Sequence, residues 1–123
     1  MMDFKGRIAE LDHLLRQCLW ADFRIESYID STLTLGITVT LSQTSDIIVR
    51  FEDPFFVSLP YSWTSDTSKQ VAGILEGALA KEVNPRFRVE MGTTLFFFHP
   101  EDYDDGFLCL IGASSFSWAK RDQ

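Results

Sequence analysis

Thr32-Leu33-Thr34-Leu35-Gly36-Ile37-Thr38-Val39-Thr40-Leu41 is the stretch that decides the fold. Its apolar side chains recur at every second residue, and a strand is the regular structure that sends alternate side chains to opposite faces. Threonine and other β-branched residues suit a pleated, half-buried surface. The reading is a strand that buries Leu33, Leu35, Ile37, Val39 and Leu41 and turns Thr34, Thr38 and Thr40 outward.

Working outward, Ser42 to Ser45 reads as a turn. Ile47, Val49 and Phe51 then alternate with Ile48, Arg50 and Glu52, which predicts an antiparallel hairpin. Beyond Asp53-Pro54, the residues Phe55, Val57 and Leu59 alternate until Pro60 stops the run, and the two prolines place this strand at an edge. Upstream, Phe23 and Ile25 alternate with charged neighbours as a short strand. Before that, Phe4, Ile8, Leu11, Leu15, Cys18 and Leu19 repeat in steps of three and four. This predicts a helix from Asp3 to about Leu19 with Asp3 as its N-cap. Asp3/Arg7 and Asp12/Arg16 are spaced for pairs on its wet side.

Downstream, Thr64 to Ser68 is a cluster of capping residues, and Val71, Ile74, Leu75, Ala78 and Leu79 form a second helical stripe ended by Asn84-Pro85. Strands follow at Phe87 to Met91, Thr93 to Phe98 and Phe107 to Ile111, with a last extended piece at Ser115 to Trp118. The chain therefore reads as one α+β domain over residues 1–123, in the order α-β-β-β-α-β-β-β. An antiparallel sheet of about six strands is covered by two helices. Thr94 to Phe98 and Phe107 to Ile111 are apolar on both faces and should be central strands.

Eighteen acids stand against eleven bases, a formal charge of −7. Divided after Tyr61, the halves carry nine acids and five bases, then nine acids and six bases. Such a surface repels phosphate backbones and holds no Lys/Arg cluster to grip one, which excludes nucleic acid as the expected partner. No apolar run approaches the ~20 residues of a membrane span. Charged and apolar residues alternate at the N-terminus, unlike a signal peptide. Two isolated thiols, Cys18 and Cys109, suit a reducing compartment. No membrane contact and a cytoplasmic location are expected.

Signatures of chemistry are sparse. His13 lies opposite the apolar stripe of the first helix and reads as solvated. His99 and Cys109 could be paired as base and nucleophile, but a simple hairpin sets Cys109 opposite Phe96, and a buried structural cysteine is the better reading. Glu101-Asp102-Tyr103-Asp104-Asp105-Gly106 invites comparison with a calcium loop. It fails: a tyrosine replaces one ligand, the closing glutamate is missing, and strands flank it where helices should stand. The carboxylates Glu52/Asp53 and Glu26/Asp30 have no second catalytic residue type beside them in sequence. Neither a phosphate loop, a nucleophile elbow nor metal-spaced cysteines and histidines occur. No catalytic residue, metal or cofactor is nominated.

Two features remain. Asp53 to Trp63 is dense in aromatics between two prolines, and Phe56, Tyr61 and Trp63, rimmed by Glu52 and Asp53, form a candidate protein-binding surface. Gly73, Gly77 and Ala80 share the far side of the second helix and form a candidate homodimer face. The expected function is non-catalytic: a small acidic domain that binds another protein, an inhibitor or immunity-type protein being one form. The alternatives are a small-molecule-binding domain with a phenylalanine-lined pocket and, third, a small enzyme.

Overall fold

The computed structural model describes residues 3–75, 94–104 and 106–121. The Asp3 side chain accepts a bond from the Gly6 amide (2.9 Å) and caps helix α1, Phe4–Arg16, which buries Ile8, Leu11 and Leu15. The apolar stripe is as expected, but the helix ends before Cys18 and Leu19. Arg7 pairs with Glu10 (2.7 Å) rather than Asp3, and Asp12 serves a strand edge, as described below.

Nine strands are described: β1 Ala21–Ile29, β2 Thr32–Thr38, β3 Ile47–Glu52, β4 Phe56–Ser58, β5 Ser62–Ser65, β6 Ala72–Ile74, β7 Thr94–Phe98, β8 Cys109–Ala113 and β9 Ser115–Lys120. They form two antiparallel sheets rather than one, in the orders β5-β1-β2-β3-β9 and β4-β8-β7-β6. The division comes from one bent ribbon. β3 and β9 pair up to Glu52↔Ser115, and the same two chains resume as β4 and β8 from Phe56↔Gly112. Three residues (53–55) separate Glu52 from Phe56, whereas two (113–114) separate Gly112 from Ser115, so one strand carries an extra residue. That is a bulge, which bends and twists a ribbon. Asp53 absorbs it at φ 48°, a left-handed conformation that aspartate tolerates better than most residues.

One core lies between the sheets. Phe23, Leu35, Val49, Phe51 and Phe116 from the five-stranded sheet meet Phe96, Phe98 and Ile111 from the other, and Ile8, Leu11 and Leu15 of α1 join them. The rings form a continuous set, with Phe51–Phe96 at 5.3 Å, Phe96–Phe116 at 5.0 Å and Phe23–Phe98 at 5.2 Å between centroids. Leu33, Leu35 and Ile37 are buried as expected, but Val39 is half-buried and Leu41 is 92% exposed. The physical reason is Asp46. Its carboxylate accepts bonds from the Val39 and Thr40 amides (2.9 and 3.1 Å) and draws the chain out of the ladder after Thr38.

Sheet edges are closed by specific groups. On β6, Asp12 Oδ1 accepts from the amides of Val71 (2.6 Å) and Ala72 (3.0 Å). On β9, the Arg7 guanidinium donates to the Trp118 carbonyl (2.7 Å), and Trp118 Nε1 donates back to the Arg7 carbonyl (2.9 Å). Beside β5, the Glu101 amide donates to Thr64 O (2.8 Å). β4 is three residues long and lies between Pro54 and Pro60. Short strands, prolines and covering groups are the ordinary defences of a strand edge.

The second helix is corrected. Residues 72–74 form β6, held to β7 by the Leu75 amide on Leu95 O and the His99 amide on Val71 O (2.8 Å each). The supposed helix cap is a turn, in which Asp66 Oδ1 takes the Ser68 amide and hydroxyl. Gly73 therefore belongs to no helical dimer face. A Cβ there would stand 2.7 Å from the Phe97 ring, which already occupies the space over the glycine. Gly77, Ala80, the rest of that stripe and the Phe87 to Met91 strand lie outside the described residues. Ser115 to Trp118 is confirmed as part of β9. No helix among the described residues is long and apolar enough to cross a membrane.

Candidate functional site

The bend in the ribbon leaves a run of large apolar side chains exposed. Residues 53–61 leave β3, cross into β4 and return to the five-stranded sheet. Two backbone bonds fix the ends of this segment. The Asp53 amide donates to Ser31 O (2.8 Å), and the Ile25 amide donates to Tyr61 O (2.9 Å). Ser31 sits in the β1–β2 turn, where Asp30 (φ 52°) and Ser31 (φ 59°) both adopt the left-handed region that a two-residue hairpin turn requires. The far half of β1 is thus bracketed between the two ends of the segment.

Nine large apolar side chains are exposed among the described residues, and five of them, Tyr28, Ile29, Phe55, Val57 and Tyr61, belong to this segment or to the far half of β1 that it brackets. Tyr61 is 72% exposed and Ile29 64%. Asp30, Glu52 and Asp53 are exposed and adjoin these residues along the chain, and Glu52 is oriented by the Thr32 hydroxyl (2.8 Å). Phe55 lays its ring over Gly112, where a Cβ would stand 2.7 Å from its Cζ. Phe56 is half-buried and packs with Leu110, Leu95 and Phe97 in a second apolar cluster.

Trp63 departs from the expected surface. It is 5% exposed and stacks on Phe23 with 4.8 Å between centroids and 6° between planes. The reason is register: Trp63 pairs with Phe23, whose side chain points into the core, so both rings face inward. Its Nε1 is buried without a hydrogen-bond partner. Of the residues picked from sequence, Glu52, Asp53 and Tyr61 lie on the exposed side of the segment, Phe56 straddles core and surface, and Trp63 is core. Tyr28, Ile29, Phe55 and Val57 were missed. The signal for Tyr28 and Ile29 was available in the Asp30-Ser31 turn, which extends β1 well beyond Ile25.

The other candidates supply little chemistry. Cys109 pairs with Phe98, not Phe96, but burial pushes its thiol up to about 12 and so removes the thiolate a nucleophile needs. His99 packs on Phe97 on the opposite face of β7 and directs Nδ1 to Gln70 O (3.1 Å). Burial, with a lesser contribution from Asp46, raises the Cys18 thiol as well. Asp66 is held below the usual carboxylate range by its bonds from Ser68. In the 101–107 loop Tyr103 stacks on Phe107 at 4.7 Å. No group of three or more His, Cys, Asp or Glu residues able to hold a metal occurs among the described residues.

Glu26 fills the bulge in β1, where the register slips between Ile25 and Ser27. Its carboxylate takes the buried Ser45 hydroxyl (2.5 Å) and the guanidinium groups of Arg24 (3.4 Å) and Arg121 (3.3 Å). A side chain on Gly36 would collide with Glu26 and Ser45. This network ties the end of the chain to the hairpin, and its members satisfy one another.

Three surface clefts of about 200, 340 and 260 Å³ lie at Ser42/Lys120/Arg121, at Lys69/His99/Tyr103/Phe107 and between α1 and β6. None of the three is lined by the core phenylalanines, which fill one another's space. Compared with protein-family models, curated proteins and solved structures, the chain matches none.

Proposed function

We propose that this protein is a non-catalytic module that binds another protein through the surface made by Tyr28, Ile29, Phe55, Val57 and Tyr61. The observation that carries the reading is their concentration. Exposed apolar residues scattered singly are ordinary, whereas five of the nine described here fall within residues 28–29 and 55–61, and such concentrations accompany interaction sites. Tyrosine and phenylalanine add much contact area for few rotatable bonds. Pro54 and Pro60 stiffen the segment, so docking orders little that is not already ordered. An inhibitor or immunity-type protein is one form such a module takes. A phenylalanine-lined ligand pocket draws no support from the packing, since the rings of Phe23, Phe51, Phe96, Phe98 and Phe116 are spent on the core.

The test is a comparison of wild type with the Ile29→Ser/Tyr61→Ser double variant. Both side chains stand in water, so the thermal midpoint should stay within about 2 °C, as for a typical surface change. A protein retained from an extract of the source cells by the wild type should be lost by the variant. Retention of the same protein at equal strength by both would remove this surface from the binding function.

A further inference from the structure

The two halves of the chain carry nearly equal charge, but stretches within them do not. From Ile25 to Ser68 the sequence holds six acids (Glu26, Asp30, Asp46, Glu52, Asp53 and Asp66) and one base, Arg50, so this stretch carries −5 of the −7. Two of these acids are internally spent. Glu26 is matched by Arg24 and Arg121, and Asp46 is bonded by the Val39 and Thr40 amides. Asp66 belongs to the turn that follows β5.

That leaves Asp30, Glu52 and Asp53, all three exposed, with Asp30 next to Ile29 and Glu52 and Asp53 just before Phe55 along the chain. The Asp53 amide bonds to Ser31, next to Asp30, and Glu52 precedes Asp53. None of the three takes part in an ion pair among the described residues. Arg50 is the nearest base along the chain. It lies on the outer face of β3 opposite Thr34 and Ser117, two residues before Glu52. An apolar centre with three unneutralised carboxylates on its rim is complementary to one chemistry.

We infer that the partner presents a basic surface: an apolar anchor flanked by lysine or arginine. This rests on the binding reading above and names the partner's chemistry. Carboxylates at the rim attract such a partner during approach and repel an acidic one, so they govern encounter rate and selectivity more than final affinity. The same argument excludes a second copy of this chain, since pairing two of these surfaces would bring six carboxylates together.

Two synthetic twelve-residue peptides serve as probes, one alternating lysine with valine and leucine, the other with glutamate in place of lysine. Amide spectra of the full ¹⁵N-labelled chain would be recorded with each. The lysine peptide should shift the amides of residues 28–31 and 52–61, and the glutamate peptide should not. The isosteric variant Asp30→Asn/Glu52→Gln/Asp53→Asn should weaken the lysine peptide at least tenfold, because asparagine keeps the left-handed backbone at residues 30 and 53. If both peptides shift these amides alike, the basic-partner inference fails while the binding surface stands. Shifts confined to the acidic 101–104 loop, or no shift near residues 28–31 and 52–61, would also overturn it. So would a dimer in sedimentation that the Tyr61→Ser change abolishes.

Discussion

Trp63 and Tyr61 are two residues apart, share aromatic character and have opposite fates. Tyr61 ends the crossing segment and gives only its carbonyl to β1, so its side chain stays in water. Trp63 is in register with Phe23 and must follow that residue into the core. Its indole N–H is carried in without a partner, and an unsatisfied buried donor costs about 1–3 kcal/mol. The stacking and burial of the ring exceed that cost. Trp63→Ala should therefore destabilise by roughly 3–5 kcal/mol, the range for emptying a large aromatic site. Trp63→Phe should cost clearly less, because it removes the orphaned donor together with part of the ring. Urea unfolding followed by circular dichroism measures both. Equal losses for the two variants would mean that the indole N–H finds a partner in solution.

At the scale of elements, the two sheets are held apart by a bent ribbon and closed at their edges by side chains of α1. Asp12 is the clearest example. One carboxylate oxygen receives two consecutive amides of the β6 edge, a position where no strand can pair. Asp12→Ala should leave both amides without their acceptor and lower stability by about 2–3 kcal/mol. Asp12→Asn keeps an acceptor oxygen and should cost less than half of that. Thermal unfolding gives the stabilities, and hydrogen exchange at Val71 and Ala72 locates the effect. Unchanged protection of those amides in Asp12→Ala would show that β6 is sealed by another group.

The same scale explains what the sequence revealed. α1, β2 and β3 were legible because each buries one face against the core, and their periods of 3.6 and 2 survive in the side-chain pattern. Val71-Ala72-Gly73-Ile74-Leu75 was misread as helix because its apolar spacing fits either structure over so short a run. The Asp66–Ser68 turn strengthened the error. A side-chain oxygen that captures the amide two residues on uses the chemistry of a helix cap without a helix. Trp63 was misplaced for a different reason. Burial in β5 depends on pairing with β1, a contact between residues 40 positions apart, and local alternation carries no record of it. The candidate surface was half visible: Tyr61, Glu52 and Asp53 lie in the aromatic segment, but Tyr28 and Ile29 reach it only through the hydrogen bond from Asp53 to Ser31.

For the whole molecule, the bent ribbon brings together in the chain the exposed side chains of residues 55–61 and the carboxylates of Glu52 and Asp53, beside the β1–β2 turn. The described strand edges are short or covered, so strand addition at them is a poor route to a partner. Two of the described clefts are lined mainly by polar surface, and burial raises the thiols of Cys18 and Cys109. What the fold leaves open is a stiff aromatic segment beside a hairpin tip with an acidic rim. The central claim is that this end, and not the core tryptophan beside it in sequence, meets the partner. Hydroxyl-radical footprinting read by mass spectrometry tests it most directly, on the free chain and on the chain with its partner bound. The account predicts that Tyr28, Ile29, Phe55, Val57 and Tyr61 are labelled in the free chain and protected in the complex, with Trp63 unlabelled in both. Labelling of Trp63 in the free chain, or protection confined to other parts of the surface, would contradict it.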